Sequence, residues 1–180
     1  MIEALFQMDG QLLLAIQNTR MDWLDPVVAV YTKLGDAGLL WIGLSALMLC
    51  WKPTRKAGLL ALLAMALGML VTNVTVKPLV ERPRPWLDWP ILPLVAEDDP
   101  HSFPSGHTCA AFAAGMVWFR ALPWRWGRAA AVVMAVCMGL SRLYAGVHYP
   151  SDVLAGGIIG ALCAWVVWKI WNIHQKRINS

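Results

Sequence analysis

Five apolar runs, at about 36–52, 57–76, 106–122, 129–147 and 152–171, dominate this 180-residue chain and limit what it can fold into. Each approaches the ~20 residues that cross ~30 Å of hydrocarbon as a helix. Backbone in lipid must satisfy its own hydrogen bonds, so runs of this kind form helices packed on one another. The expected fold class is all-α, a polytopic membrane helical bundle of about five transmembrane helices. With 58% hydrophobic and only 14% charged residues, the composition lies far from that of a soluble domain. Many of the eleven Trp stand at the ends of the runs, among them Trp51, Trp124, Trp165 and Trp171, where amphipathic rings settle at a headgroup layer.

The segment before residue 36 has a different character. Residues 3–18 set Leu5, Met8, Leu12, Ala15 and Ile16 against Glu3, Gln7, Gln11 and Asn18 in a helical period, the pattern of an interfacial helix. Residues 22–34 are apolar but short, bracketed by Asp25-Pro26 and Gly35-Asp36, which predicts a half-inserted helix. The chain reads as one domain over 1–180, with 1–34 as N-terminal helices and 36–171 as the transmembrane core. Residues 1–20 carry neither a basic leader region nor a small-residue cleavage site, so insertion through the chain's own spans is expected. Small residues four apart, such as Ala111/Gly115 and Gly156/Gly160, would let helix backbones approach closely.

Loop charges predict an orientation. Lys52 to Lys56, Arg120 to Arg128 and Lys169 to Arg177 are basic, and five spans put all three on one side, the cytoplasmic one. The loops 77–105 and 142–151 then face outward. A net charge of +4 spread over short loops gives no stripe for nucleic acid, so none is expected as a partner. Cys50, Cys109, Cys137 and Cys163 lie inside apolar runs and read as small buried hydrophobes.

The outward loops hold the chemistry. Lys77-Pro-Leu-Val-Glu-Arg-Pro-Arg84-Pro85 spaces two cations across a Pro-rich segment expected to be a turn that no helix can occupy. Arg142 adds a third cation, whose planar fork suits phosphate. Pro104-Ser105-Gly106-His107 precedes a span: Ser105 is a good N-cap, and Gly106 lets an anion approach the free amides. His148 is a candidate nucleophile and His107 a candidate general acid. Asp152, four residues after His148, can orient its ring, although an acid there would also suit a helix N-terminus. His101 shares the outer loop. Both histidines, Asp152 and the acids at 97–99 offer metal-ligand chemistry, but the nearby Lys77, Arg84 and Arg142 would repel a divalent ion, so neither metal nor cofactor is expected.

These stretches match K-x6-R-P, P-S-G-H and S-R-x5-H-x3-D, and in this the chain resembles the PAP2 (type 2 phosphatidic acid phosphatase) superfamily. The resemblance implies a metal-independent membrane phosphatase in which His148 attacks phosphorus, Asp152 supports it and His107 protonates the leaving group. Lys77, Arg84, Ser105, Gly106 and Arg142 would bind the phosphate. The five spans argue against the family's soluble haloperoxidase branch. The implied partners are the bilayer and a lipid phosphate or diphosphate. Undecaprenyl diphosphate leads, and phosphatidylglycerophosphate or phosphatidate is the alternative. A headgroup-binding transporter or flippase would use the cations and leave His148 idle; a phosphotransferase would replace water with another acceptor.

Overall fold

The computed structural model describes residues 2–178. Met1, Asn179 and Ser180, the extreme ends of the expected domain, lie outside the described residues. Among those described the fold is all-helical: α1 (Ile2–Gln17), α2 (Asp25–Leu34), α3 (Leu39–Leu49), α4 (Lys52–Val80), α5 (Pro85–Asp88), α6 (Gly106–Ala121), α7 (Arg125–Tyr144) and α8 (Pro150–Ile178).

Helix α6 is the centre of the bundle, packed against α4, α7 and α8. Its small residues allow this: Ala111, Ala113, Ala114 and Gly115 are buried together with Val117 and Trp118. On the facing side of α8, a Cβ at Gly156 would overlap the Ser105 carbonyl oxygen, and one at Gly160 would overlap the Cys109 carbonyl. Two glycines one turn apart therefore set how closely α8 docks on the start of α6. The Ser105 amide also donates to the Asp152 carbonyl (3.0 Å), which stitches the two helix N-termini together.

Three helices, α4, α7 and α8, are long and apolar enough to cross a membrane. A bent pair, Asp25–Leu34 with Asp36–Leu49, makes a fourth candidate with a 52° break. The break falls at Ala37 (φ 49°) and Gly38 (φ 74°), in the left-handed region that a continuous helix cannot hold. The expected half-inserted helix is therefore α2, joined through this corner to what was expected as a separate span. Helix α6 has 16 residues and is roughly 24 Å long at 1.5 Å per residue. Among the described residues, length and composition thus identify three spans, or four with the bent pair, against the five expected.

The Lys77–Pro85 stretch departs from expectation. The α4 helix does not stop at residue 76 but passes through a π-helical stretch, Leu70–Val76, and one more α turn, Lys77–Val80. Pro78 sits in that last turn. The widened π segment accommodates it, with the Thr75 hydroxyl taking the Leu70 carbonyl at 3.0 Å. The chain leaves the helix only at Glu81 (φ 47°).

Helix α1 is interfacial in pattern and docks on the bundle through Leu13, a position outside the apolar set read from the sequence. Leu5, Met8 and Leu12 are exposed, whereas Leu13 is buried against Ile91, Leu143 and Tyr149. Gln17 Nε2 donates to the Leu143 (2.6 Å) and Tyr144 (3.1 Å) carbonyls, capping the end of α7. The basic loops collect at one end of the bundle: Trp51 stacks on Trp124 (5.2 Å), and Lys56 lies 4.5 Å over Trp168. The three motif stretches collect at the other.

Candidate active site

A cavity of about 410 Å³ opens at the motif end of α4 and α6. Lys77, Arg84, His107 and His148 line its polar part, along with the Gly106 backbone and the carboxylates of Glu97 and Asp99. Ile42, Leu62, Met65 and Met69 line the rest, so the cavity is polar at one end and apolar at the other.

Arg84 is almost wholly buried, and its guanidinium is held from several directions. Nε donates to the Asp99 carbonyl (3.0 Å), Nη1 to the Val147 carbonyl (2.9 Å) and Nη2 to Glu97 Oε2 (3.3 Å). Nη1 also lies 3.2 Å from His148 Nε2. A guanidinium can only donate, so Nε2 must present its lone pair, and the ring proton of the neutral imidazole sits on Nδ1. Nδ1 is 3.5 Å from Asp152 Oδ2, long for a hydrogen bond but within ion-pair reach. The nitrogen that carries the lone pair thus faces the cations and the protonated one faces the carboxylate. Burial pushes the His148 pKa well below its usual value, and repulsion from Arg84, Arg142 and Lys77 adds to the effect. The ring rests neutral.

Arg142 is fully buried and donates to Thr32 Oγ1 and Glu97 Oε1. Glu97 therefore bridges Arg84 and Arg142 through its two oxygens. Lys77 pairs with Asp99 in the same way. Each phosphate-binding cation expected from the sequence is matched by a carboxylate of the 86–101 loop. His107 Nε2 meets Asp36 Oδ1 at 2.9 Å, which ties the α2–α3 corner to the start of α6.

The remaining expected residues divide. Gly106 lines the cavity, and a Cβ there would press on Asn73 Oδ1 at 3.1 Å. Ser105 is fully buried, and its hydroxyl accepts from the Thr108 amide (3.4 Å) and hydroxyl (2.9 Å), so it acts here as the N-cap. Asp152 lies behind His148 rather than in the cavity, accepting from the Tyr149 amide (2.8 Å) and from Arg82 Nη1 (2.7 Å). His101 is absent from the described cavity lining; its amide donates to Asp99 Oδ1 (2.9 Å), and it bridges to Pro83. Glu97, Asp99, Asp36, Thr32 and Arg82 had no assigned role from sequence. The acidic run 97–99 and the Arg82 inside the Lys77–Pro85 stretch were the only signals pointing to any of them.

A family model described as the PAP2 superfamily matches residues 57–176, more than half of the chain and all three motif stretches. The chain belongs to the PAP2 superfamily. It is similar to the bacitracin transport permease protein BcrC of Bacillus licheniformis, at 38% identity over 46% of this chain and 41% of that one. It is also similar to the undecaprenyl-diphosphatase of Sulfolobus acidocaldarius, at 29% identity over 73% of this chain and 63% of the relative. The matched part thus spans less than two thirds of either relative. A solved PAP2 structure, the transmembrane phosphatidylglycerolphosphate phosphatase of Bacillus subtilis, superposes with a TM-score of 0.78. It shares 32% identity, with 94% of this chain and 87% of that one covered.

Proposed function

We propose that this protein is an integral membrane phosphatase that hydrolyses a lipid phosphate or diphosphate through a phosphohistidine on His148. The observation that carries the reading is the two-ended cavity. Two buried or nearly buried cations, Lys77 and Arg84, and two imidazoles line one end, with Arg142 joined to them through Glu97, and an apolar wall of α3 and α4 side chains continues from it. A free sugar or nucleotide phosphate has no use for that wall; a lipid does.

In the proposed cycle the phosphate displaces Glu97 and Asp99 from Arg84, Arg142 and Lys77, which neutralise its charge. His148 Nε2 forms a bond to phosphorus as the bond to the leaving oxygen breaks, and His107 gives that oxygen a proton. Asp152 steadies the positive charge that develops on the His148 ring. Water then attacks the phosphohistidine while His107 takes up its proton, releasing inorganic phosphate and restoring both rings.

Undecaprenyl diphosphate is the lead substrate, supported by the similarity to an undecaprenyl-diphosphatase. The Bacillus subtilis structure favours phosphatidylglycerophosphate as the alternative. The similarity to a bacitracin transport permease of Bacillus licheniformis favours a transport reading, in which the cations grip a headgroup and His148 stays idle. The site is proposed to face the extracytoplasmic side of a bacterial inner membrane, with α6 as a further crossing beyond the three long helices and the bent pair. The separation of the basic loops from the motif end supports this orientation. The test is phosphate release by the purified full-length protein in detergent and EDTA, across prenyl diphosphates and glycerophospholipid phosphates. Release from at least one lipid is expected; no release from any would contradict the proposal.

A further inference from the structure

We propose that Arg82, held by Asp9 of the N-terminal helix, is a positioning residue for the His148–Asp152 pair. The proposal rests on the reading of His148 as nucleophile. Asp152 has no exposed surface, and an unpaired carboxylate in such a place would be costly. The neutral His148 ring cannot supply the missing charge. Arg82 does, through Nη1 to Asp152 Oδ1 at 2.7 Å. That contact leaves Oδ2 turned toward His148 Nδ1 and the Tyr149 amide.

The guanidinium is itself fixed on every side. It lies 3.8 Å over the Tyr149 ring and 5.3 Å from that of Phe6. Nη1 also donates to Ser151 Oγ (2.7 Å), and Nη2 to Asp9 Oδ2 (2.8 Å). Asp9 in turn accepts from the Ser151 amide (3.0 Å) and hydroxyl, so α1 is tied to the first turn of α8 beside Asp152. Arg82 is absent from the described lining of the phosphate cavity, unlike Lys77 and Arg84. Its two terminal guanidinium nitrogens are taken up by Asp152, Ser151 and Asp9, so it acts on the reaction through Asp152 and not by contact with the substrate. Its effect should appear in the chemical step, with substrate binding left alone.

The experiment compares wild type, Arg82→Gln, Arg82→Lys and Asp9→Asn as full-length protein in detergent, with phosphate release from the best lipid substrate as the readout. Arg82→Gln is expected to lower kcat roughly 10- to 100-fold, the range seen when an outer partner of a functional ligand is lost. KM and inhibition by inorganic phosphate should stay within about threefold. Arg82→Lys keeps the charge without the fork and should fall between the two. Asp9→Asn should lower kcat less, and combining it with Arg82→Gln should add almost nothing. Wild-type kcat in both Arg82 variants would overturn the proposal, as would a KM or phosphate-inhibition change that matches the loss. If Arg82→Gln yields no folded protein, Arg82→Lys decides alone by the same two criteria. A wild-type enzyme inactive on every lipid would instead refute the phosphatase reading itself.

Discussion

Arg84 Nη1 stands 3.2 Å from His148 Nε2, so a permanent donor faces the nitrogen proposed to attack phosphorus. The contact fixes the tautomer, turns the lone pair toward the cation cluster and, with burial, keeps the ring neutral. It also means that Arg84 must transfer a donor from imidazole to phosphate when substrate enters.

The depressed His148 pKa gives the first prediction. The neutral ring is the reactive form, so lowering the pH through 6.5 should not switch it off, because the folded protein resists that protonation. The kcat/KM profile, which reports free-enzyme groups, should show no acid limb from His148 near 6.5. Stability has the matching sign. The unfolded chain takes up a proton on His148 below about 6.5 while the folded chain does not, so this group's contribution falls as the pH drops below that value. An acid limb centred near 6.5 that persists with a substrate not titrating there would contradict the neutral, buried ring.

Glu97 supplies the second. Its carboxylate occupies both guanidinium forks that phosphate would use, so Glu97→Gln should bind inorganic phosphate more tightly, by roughly tenfold if one charge-assisted contact of about 1.4 kcal/mol no longer has to be displaced. The same variant leaves two buried guanidiniums short of a counter-charge. Its melting temperature should fall in phosphate-free buffer and recover more than wild type on adding phosphate. Weaker phosphate inhibition would mean that Glu97 is not a competitor for the site.

His107 is expected to matter in proportion to how badly the leaving group needs a proton. His107→Ala should lose about 10²- to 10⁴-fold on a lipid alcohol or diphosphate leaving group. On p-nitrophenyl phosphate, whose leaving group departs as a stable anion, the loss should be much smaller. Equal losses on both substrates would point to a binding role instead.

Orientation is tested at Ala96, which is exposed on the loop that carries Glu97. Ala96→Cys, in a chain lacking the four native cysteines, should react with an impermeant thiol reagent in intact cells. Labelling only after lysis would place the site on the cytoplasmic side.

The motif residues were legible in the sequence because a Lys, Arg or His at the end of an apolar run has few places to go, and Ser105–Gly106 is a local N-cap signal. Gly156 and Gly160 were legible for the same kind of reason, as small residues one helical turn apart. What escaped was long-range. Glu97 reaches Arg142 across 45 residues, Asp36 reaches His107 across 71 and Asp9 reaches Arg82 across 73. No periodicity encodes which acid meets which base at such separations. The α2–α3 corner was marked only by Gly35-Asp36, which reads equally as a loop between two helices. The Pro78 turn was misread because its tolerance depends on the π-helical stretch before it, and that follows from packing rather than from proline itself.

The central claim is that phosphate passes through a covalent bond to His148. Rapid acid-free quenching of the wild-type protein mixed with a lipid carrying a radiolabelled terminal phosphate tests it directly. Label should appear on the protein within one turnover, map to the peptide containing His148, survive base and be lost in acid, and be absent from His148→Ala together with phosphate release. Label on another residue, or a His148→Ala variant that still releases phosphate at the wild-type rate, would contradict the account.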